Sequence, residues 1–286
     1  MPSEPAVAIF RGYTQAALDA QYNNRARVPE HPAFLEAYAR DSAAARAALR
    51  HEVLTYGPHP SQRLTLFPPA VQDAPVVAFI HGGYWQALSR EHFDFLAPAF
   101  VQAGLGFVSV GYPLCPEVRF DALVDSLRQA LITLEDVAPA HGLDARRIVL
   151  TGHSAGGHLT AALLSMDWAR SGRSGPCGGC AVSGLFELEP IRLSYLNRAL
   201  GLDEETARRH SPTRNVPSGA PPLVVAVGSA ESEEFLCQQA DFVSAWQVRG
   251  NPVQVVELPG FHHFDAVREL GRVGSPLFEA VIALSR

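Results

Sequence analysis

Short apolar runs alternate with longer amphipathic stretches over most of the chain. Val76-Val-Ala-Phe-Ile80 is apolar throughout and reads as a strand buried on both faces, as do the runs at 106–110, 147–151, 180–183, 223–228 and 253–258. Between these runs, residues 91–103, 120–138, 157–164 and 234–249 have helical composition and spacing. Val53 to Tyr56 and Arg63 to Phe67 precede the first fully apolar run and read as an antiparallel pair. Apolar strands alternating with helices predict an α/β fold, a mostly parallel central sheet with helices on both faces. Residues 14–50 read as helical, broken at Pro29 and Pro32, and residues 185–222 form a Pro-punctuated excursion. The N-terminal helices and this excursion are expected to make a small cap. No repeat, low-complexity tract or linker divides the chain, so 1–286 reads as a single domain with 1–50 as a helical extension.

Composition narrows the chemistry. At 286 residues, 47% hydrophobic and 18% charged, the chain can bury one ample core. A formal net charge of −6 gives no electrostatic reason to expect nucleic acid or an anionic membrane as partner. All 23 basic residues are Arg; the absence of Lys excludes Schiff-base chemistry, lysine-anchored pyridoxal phosphate, a P-loop lysine and a Ser-Lys dyad. Met1 to Arg11 lack a basic region followed by a long apolar core, and no apolar run approaches membrane-spanning length, so a cytoplasmic protein is expected. A homodimer is compatible with these features, and nothing in the chain specifies it. Cys177-Gly-Gly-Cys180 has C-x-x-C form but lies in a Gly-rich loop with no second pair at zinc-ligand spacing, and reads as incidental.

The candidate chemistry centres on Gly152-His-Ser-Ala-Gly156, between a β-branched run and a helical one. Strand, sharp turn and helix are the context in which G-x-S-x-G lifts a serine hydroxyl above a sheet. A serine needs a base, and the base an orienting acid, each on a loop after a later strand. Pro259-Gly-Phe-His-His-Phe264 follows the last strong strand, and by position either His262 or His263 can be the base. Glu231 lies nearest the end of run 223–228; Glu233 and Glu234 read as helix-start acids, and Asp241 and Asp265 as structural. His81-Gly-Gly-Tyr-Trp85 follows the strand at 76–80 directly. It is expected to supply oxyanion donors from the Gly83 and Tyr84 amides, with Ala155 as the third, while Tyr84 and Trp85 wall the substrate pocket.

With these segments in place the chain resembles the kynurenine formamidases (arylformamidases), α/β-hydrolases near the hormone-sensitive-lipase-like esterases. The matching segments are His81-Gly-Gly-Tyr-Trp-Gln86, Gly152-His-Ser-Ala-Gly-Gly157, Val182-Ser-Gly-Leu-Phe-Glu-Leu-Glu-Pro190 and Phe261-His-His-Phe264. Tyr112-Pro-Leu-Cys-Pro-Glu117 and Leu18-Asp-Ala-Gln-Tyr-Asn-Asn-Arg25 are also similar. The resemblance implies an α/β-hydrolase fold with Ser154 as nucleophile, Glu231 as acid and His263 as base. Glu231 stands where the family usually has Asp, and Pro113 where it usually has Arg. The implied reaction is hydrolysis of an N-aryl formamide, N-formylkynurenine to kynurenine and formate, through a formyl-serine, with Tyr84, Trp85 and Phe186 around the aryl ring. No metal and no cofactor is called for. A carboxylesterase acting on small acyl esters would share this machinery. A non-catalytic binding protein on a hydrolase scaffold would show a broken set of three, which this sequence does not.

Overall fold

The computed structural model describes residues 7–286. Met1 to Ala6, on which the reading of the N-terminus partly rests, lie outside the described residues. Eight strands form one sheet: β1 (Glu52–Thr55), β2 (Arg63–Phe67), β3 (Ala74–Ile80), β4 (Gly106–Val110), β5 (Leu143–His153), β6 (Gly178–Val182), β7 (Leu223–Gly228) and β8 (Val253–Leu258). Their spatial order is β1-β2-β4-β3-β5-β6-β7-β8. The β1–β2 and β2–β4 pairs are antiparallel and every other pair is parallel. The α/β expectation and the early antiparallel pair both match this sheet.

Successive residues of a strand face opposite sides, and the cores follow that period of two. Val76, Ala78 and Ile80 of β3 enter one cluster, and Val77 and Phe79 the other. The first cluster is closed by α1 (Gln15–Tyr22), α5 (Phe120–Val137) and α6 (Ala155–Leu164); the second by α3 (His31–Ala48), α4 (Ala97–Gln102) and α11 (Pro276–Ala283). The remaining helices are α2 (Asn24–Arg27), α7 (Glu189–Leu193), α8 (Asn197–Leu200), α9 (Glu204–Arg209) and α10 (Glu233–Val248).

One sequence expectation needs correction. Residues 91–103 are not one helix: single 3-10 turns occupy Arg90–His92 and Asp94–Leu96, and the α-helix starts only at Ala97, with Pro98 in its first turn. Proline lacks an N–H and its ring crowds the preceding turn, so it begins a helix rather than continuing one. Residues 15–27 meet the 185–222 excursion, where Gln15 Nε2 donates to Leu193 O at 2.9 Å and Tyr195 N to Asp19 Oδ1 at 2.8 Å. The longer α3 packs Tyr38 on Phe93 and Phe95 beside the second core and presents Leu35 and Tyr38 toward the same ends of the strands.

Three buried histidines make this fold acid-sensitive. Burial pushes His81 down to about 4 and His158 to about 3, and holds His153 well below its ordinary value. His158 shows why: Nε2–H donates to His210 O at 2.7 Å while Nδ1 accepts from the Trp85 indole at 3.2 Å, leaving no room for a second ring proton. An unfolded histidine binds its proton below about pH 6.5, and these folded ones do not until lower pH. Stability is therefore whole above pH 6.5 and falls as pH drops, by up to about 1.4 kcal/mol per pH unit for each ring. Asp94 and Glu234, raised by burial, oppose this only nearer the carboxylate range. The melting temperature is expected to fall by about 5–10 °C between pH 7 and pH 5. A thermal melt that is flat across that interval contradicts the assignment.

Candidate active site

The turn from β5 into α6 begins with a steric requirement. A Cβ on Gly152 would sit 2.2 Å from Gly156 O, and one on Gly156 would sit 2.0 Å from Ile80 O. Only glycine at both positions lets the helix start so close to the strand ends. Between them Ser154 is held at φ 59° and ψ −120°, a conformation that costs a side-chain-bearing residue about 1–3 kcal/mol. The surrounding structure enforces it: Ser154 N–H donates to Val182 O at 2.8 Å across the sheet.

Ser154 Oγ lies 3.0 Å from His263 Nε2, and His263 Nδ1 lies 2.6 Å from Glu231 Oε2. All three residues are buried, at 2%, 6% and 6% exposure, so their hydrogen bonds face little competition from water. A carboxylate only accepts, which requires the ring proton on Nδ1 and leaves the Nε2 lone pair facing the serine hydroxyl. Such an arrangement can draw a proton from Oγ as it attacks a carbonyl. Glu231 is itself fixed, since Oε1 accepts from Ser183 Oγ at 2.5 Å and from Gly228 N–H at 3.0 Å. His153 Nε2–H donates to His263 O at 2.9 Å and so holds the backbone of the histidine loop.

The other acid and base candidates point elsewhere. His262 pairs with Asp265 at 3.1 Å, and its ring packs edge-on against Phe34. Glu233 and Glu234 lie in the first turn of α10, where Glu233 accepts from Tyr13 Oη at 2.8 Å and Glu234 from Tyr22 Oη at 3.2 Å. Asp241 lies within α10 and pairs with Arg11. Cys180 is fully buried in β6, and Cys177 Sγ faces Leu284 O at 3.6 Å.

After β3 the chain makes a tight turn in which Gln86 and Ala87 N–H both bond Gly83 O, at 3.1 and 3.0 Å. Tyr84 and Trp85 adopt positive φ there, 50° and 58°. The turn is braced by Tyr112, whose hydroxyl donates to His81 O at 2.8 Å and whose ring stacks on His81 at 4.2 Å. Among the described residues the Gly83, Tyr84 and Ala155 amides donate to no other backbone group. The Tyr84 hydroxyl donates to Tyr22 O at 2.7 Å, and burial raises its pKa well above the phenol value.

A cavity of about 450 Å³ opens over Ser154 and His263. Tyr84 lines it, as the sequence predicts, but Trp85 and Phe186 do not. Trp85 is fully buried beneath the turn, its indole spent on His158 and its ring edge-on to Phe120. Phe186 stacks on Phe242 at 4.1 Å in a separate core under α10. The walls come instead from Leu35, Tyr38, Phe93, Tyr195, Leu196 and Phe264. Ser183 and Tyr112 were not read as site supports, although each lies in a segment quoted for the family resemblance and at the mouth of a strand.

No helix among the described residues is long and apolar enough to cross a membrane. A family model of the alpha/beta hydrolase fold matches residues 77–265. The kynurenine formamidase of Salmo salar is 35% identical over 225 residues, covering 75% of each chain, and that of Danio rerio is 34% identical with the same coverage. The ethyl acetate hydrolase of Pseudomonas putida is 28% identical over 74% of this chain and 72% of its own. A solved structure from Silicibacter sp. superposes with a TM-score of 0.83 at 28% identity, covering 93% of this chain and 98% of that one. Fold, family match and relatives agree, and the chain is a hydrolase that belongs to the kynurenine formamidase-like α/β-hydrolases.

Proposed function

We propose that this enzyme hydrolyses an N-aryl formamide, N-formylkynurenine to kynurenine and formate, with Ser154 as nucleophile, His263 as base and Glu231 as orienting acid. The observation that carries the reading is the unbroken hydrogen-bonded series Ser154–His263–Glu231, at 3.0 and 2.6 Å, in a chain 35% identical to a kynurenine formamidase. His263 takes the Oγ proton as Ser154 attacks the formyl carbon. The Gly83, Tyr84 and Ala155 amides receive the oxyanion. His263 then protonates the anilino nitrogen, kynurenine leaves, and water clears the formyl-serine by the reverse relay. A histidine 3.0 Å from the nucleophile suits this substrate, because an anilide is a poor leaving group until its nitrogen is protonated in place.

A carboxylesterase is the second reading, favoured by the similarity to ethyl acetate hydrolase. The two separate on substrate preference. The enzyme is expected to show at least about tenfold higher kcat/KM on N-formylkynurenine than on 4-nitrophenyl butyrate, one decade being 1.36 kcal/mol of transition-state discrimination. A ratio strongly favouring the ester replaces the formamidase reading with the esterase one.

A further inference from the structure

We propose that Arg25 selects substrates carrying a carboxylate, binding that group at the cavity wall while the scissile bond lies over Ser154. This deepens the formamidase reading and rests on it, because N-formylkynurenine carries an α-amino-acid head remote from its formyl group. Arg25 is on the cavity wall, and among the described residues no Asp or Glu lines that cavity. His153 is kept neutral by burial, His263 is engaged by Ser154 and Glu231, and Tyr84 is held in its phenol form. Among the described residues Arg25 makes no ion pair and its side chain makes no hydrogen bond, whereas twelve other arginines are paired with Asp or Glu. A guanidinium left single at the wall of a pocket without a described carboxylate offers a fork that matches one from a ligand.

Its position is fixed from both sides. Asn24 is buried and its Nδ2 donates to Tyr84 Oη at 3.2 Å, which ties α2 to the oxyanion turn. Arg27 Nη2 donates to Glu231 O at 3.4 Å, which ties the same turn of helix to the acid loop. Arg25 thus projects from a segment whose register against the catalytic loops is set before substrate arrives, and less ordering remains to be done on binding. Tyr195, on the opposite cap segment, lies within the electrostatic reach of both Asp19 and Arg25 and lines the same wall.

The test compares matched substrates in wild type, Arg25→Gln and Arg25→Lys. The first pair is N-formylkynurenine and N-(2-acetylphenyl)formamide, which keeps the aryl formamide and lacks the amino-acid head. The second is 4-acetoxybenzoate and phenyl acetate, an ester pair that likewise carries or lacks the carboxylate on the leaving-group side. Wild type is expected to favour the anionic member, and Arg25→Gln to shrink that preference by about ten- to a hundredfold, nearer ten for so exposed a side chain. The loss should fall on KM, with Arg25→Lys recovering part of it. An equal loss on both members of a pair, or a preference that Arg25→Gln leaves intact, overturns the assignment. Turnover of the esters with neither formamide cleaved would refute the formamidase reading alone, and the ester pair would still read Arg25.

Discussion

Ser154→Ala is expected to lower kcat by about 10⁴–10⁶-fold while leaving the fold intact. The size follows from what the hydroxyl does in the proposed reaction: without Oγ there is no acyl-enzyme, and only the oxyanion amides and binding remain to assist water. The fold should survive because the elbow is built from backbone. Gly152 and Gly156 provide the space, and Ser154 N–H to Val182 O provides the anchor, neither of which uses the hydroxyl. Alanine keeps a Cβ at φ 59°, so the local strain is unchanged, and the melting temperature should stay within about 2 °C. Product affinity should also persist, since the cavity walls are untouched. Measuring kcat, the melting curve and kynurenine binding on one preparation separates these effects. A variant retaining more than about a tenth of wild-type kcat would remove the serine from the mechanism.

The elbow was legible in the sequence because its geometry is a steric condition with few solutions. Two glycines four positions apart, after a β-branched run and before a helical one, are what a turn demands in which a Cβ would come within 2.2 Å of Gly156 O at one position and 2.0 Å of Ile80 O at the other. The strands were equally legible, since burial on both faces leaves apolar runs with little else in them. Position after a strand narrowed the base to two adjacent histidines. Proximity to the strand end chose Glu231 over Glu233 and Glu234, which the structure places at the start of α10.

What could not be read was which aromatics face the cavity. Trp85 and Phe186 each adjoin a catalytic segment, but adjacency in sequence does not set the direction of a side chain. At positive φ the chain reverses at Trp85, and its ring turns down onto His158 and Phe120. The actual walls come from α2, α3, the 185–222 excursion and the histidine loop, four segments that meet only in three dimensions. Arg25 lies in a segment that carries the family resemblance, yet its standing unpaired beside a cavity without a described carboxylate is a property of the folded surface.

Glu231→Gln is expected to cost about 10⁴-fold in kcat, a much larger effect than its isosteric shape implies. Glu231 accepts three hydrogen bonds, from His263 Nδ1, Ser183 Oγ and Gly228 N–H, at 2.6, 2.5 and 3.0 Å. A carboxylate has enough lone pairs for all three, whereas an amide replaces one accepting end with two donors. If the amide nitrogen faces His263, Nδ1 must accept, the ring proton moves to Nε2, and Nε2 can no longer take a proton from Ser154. If it faces Ser183 and Gly228 instead, two donors oppose the Gly228 N–H in a buried site, and the imidazolium formed during attack loses its counter-charge. Either outcome damages the base, and neither is repaired by a nearby group, since Asp265 is occupied by the His262 N–H at 2.6 Å. Glu231→Asp keeps the charge but retracts the carboxylate by one methylene, so a smaller loss of about 10–100-fold is expected from misplacement alone. The ordering matters more than either value: Asp well above Gln in kcat identifies the charge and acceptor pattern of Glu231 as what His263 requires. Equal losses in the two variants would mean that packing at this position, rather than its carboxylate, sustains the site.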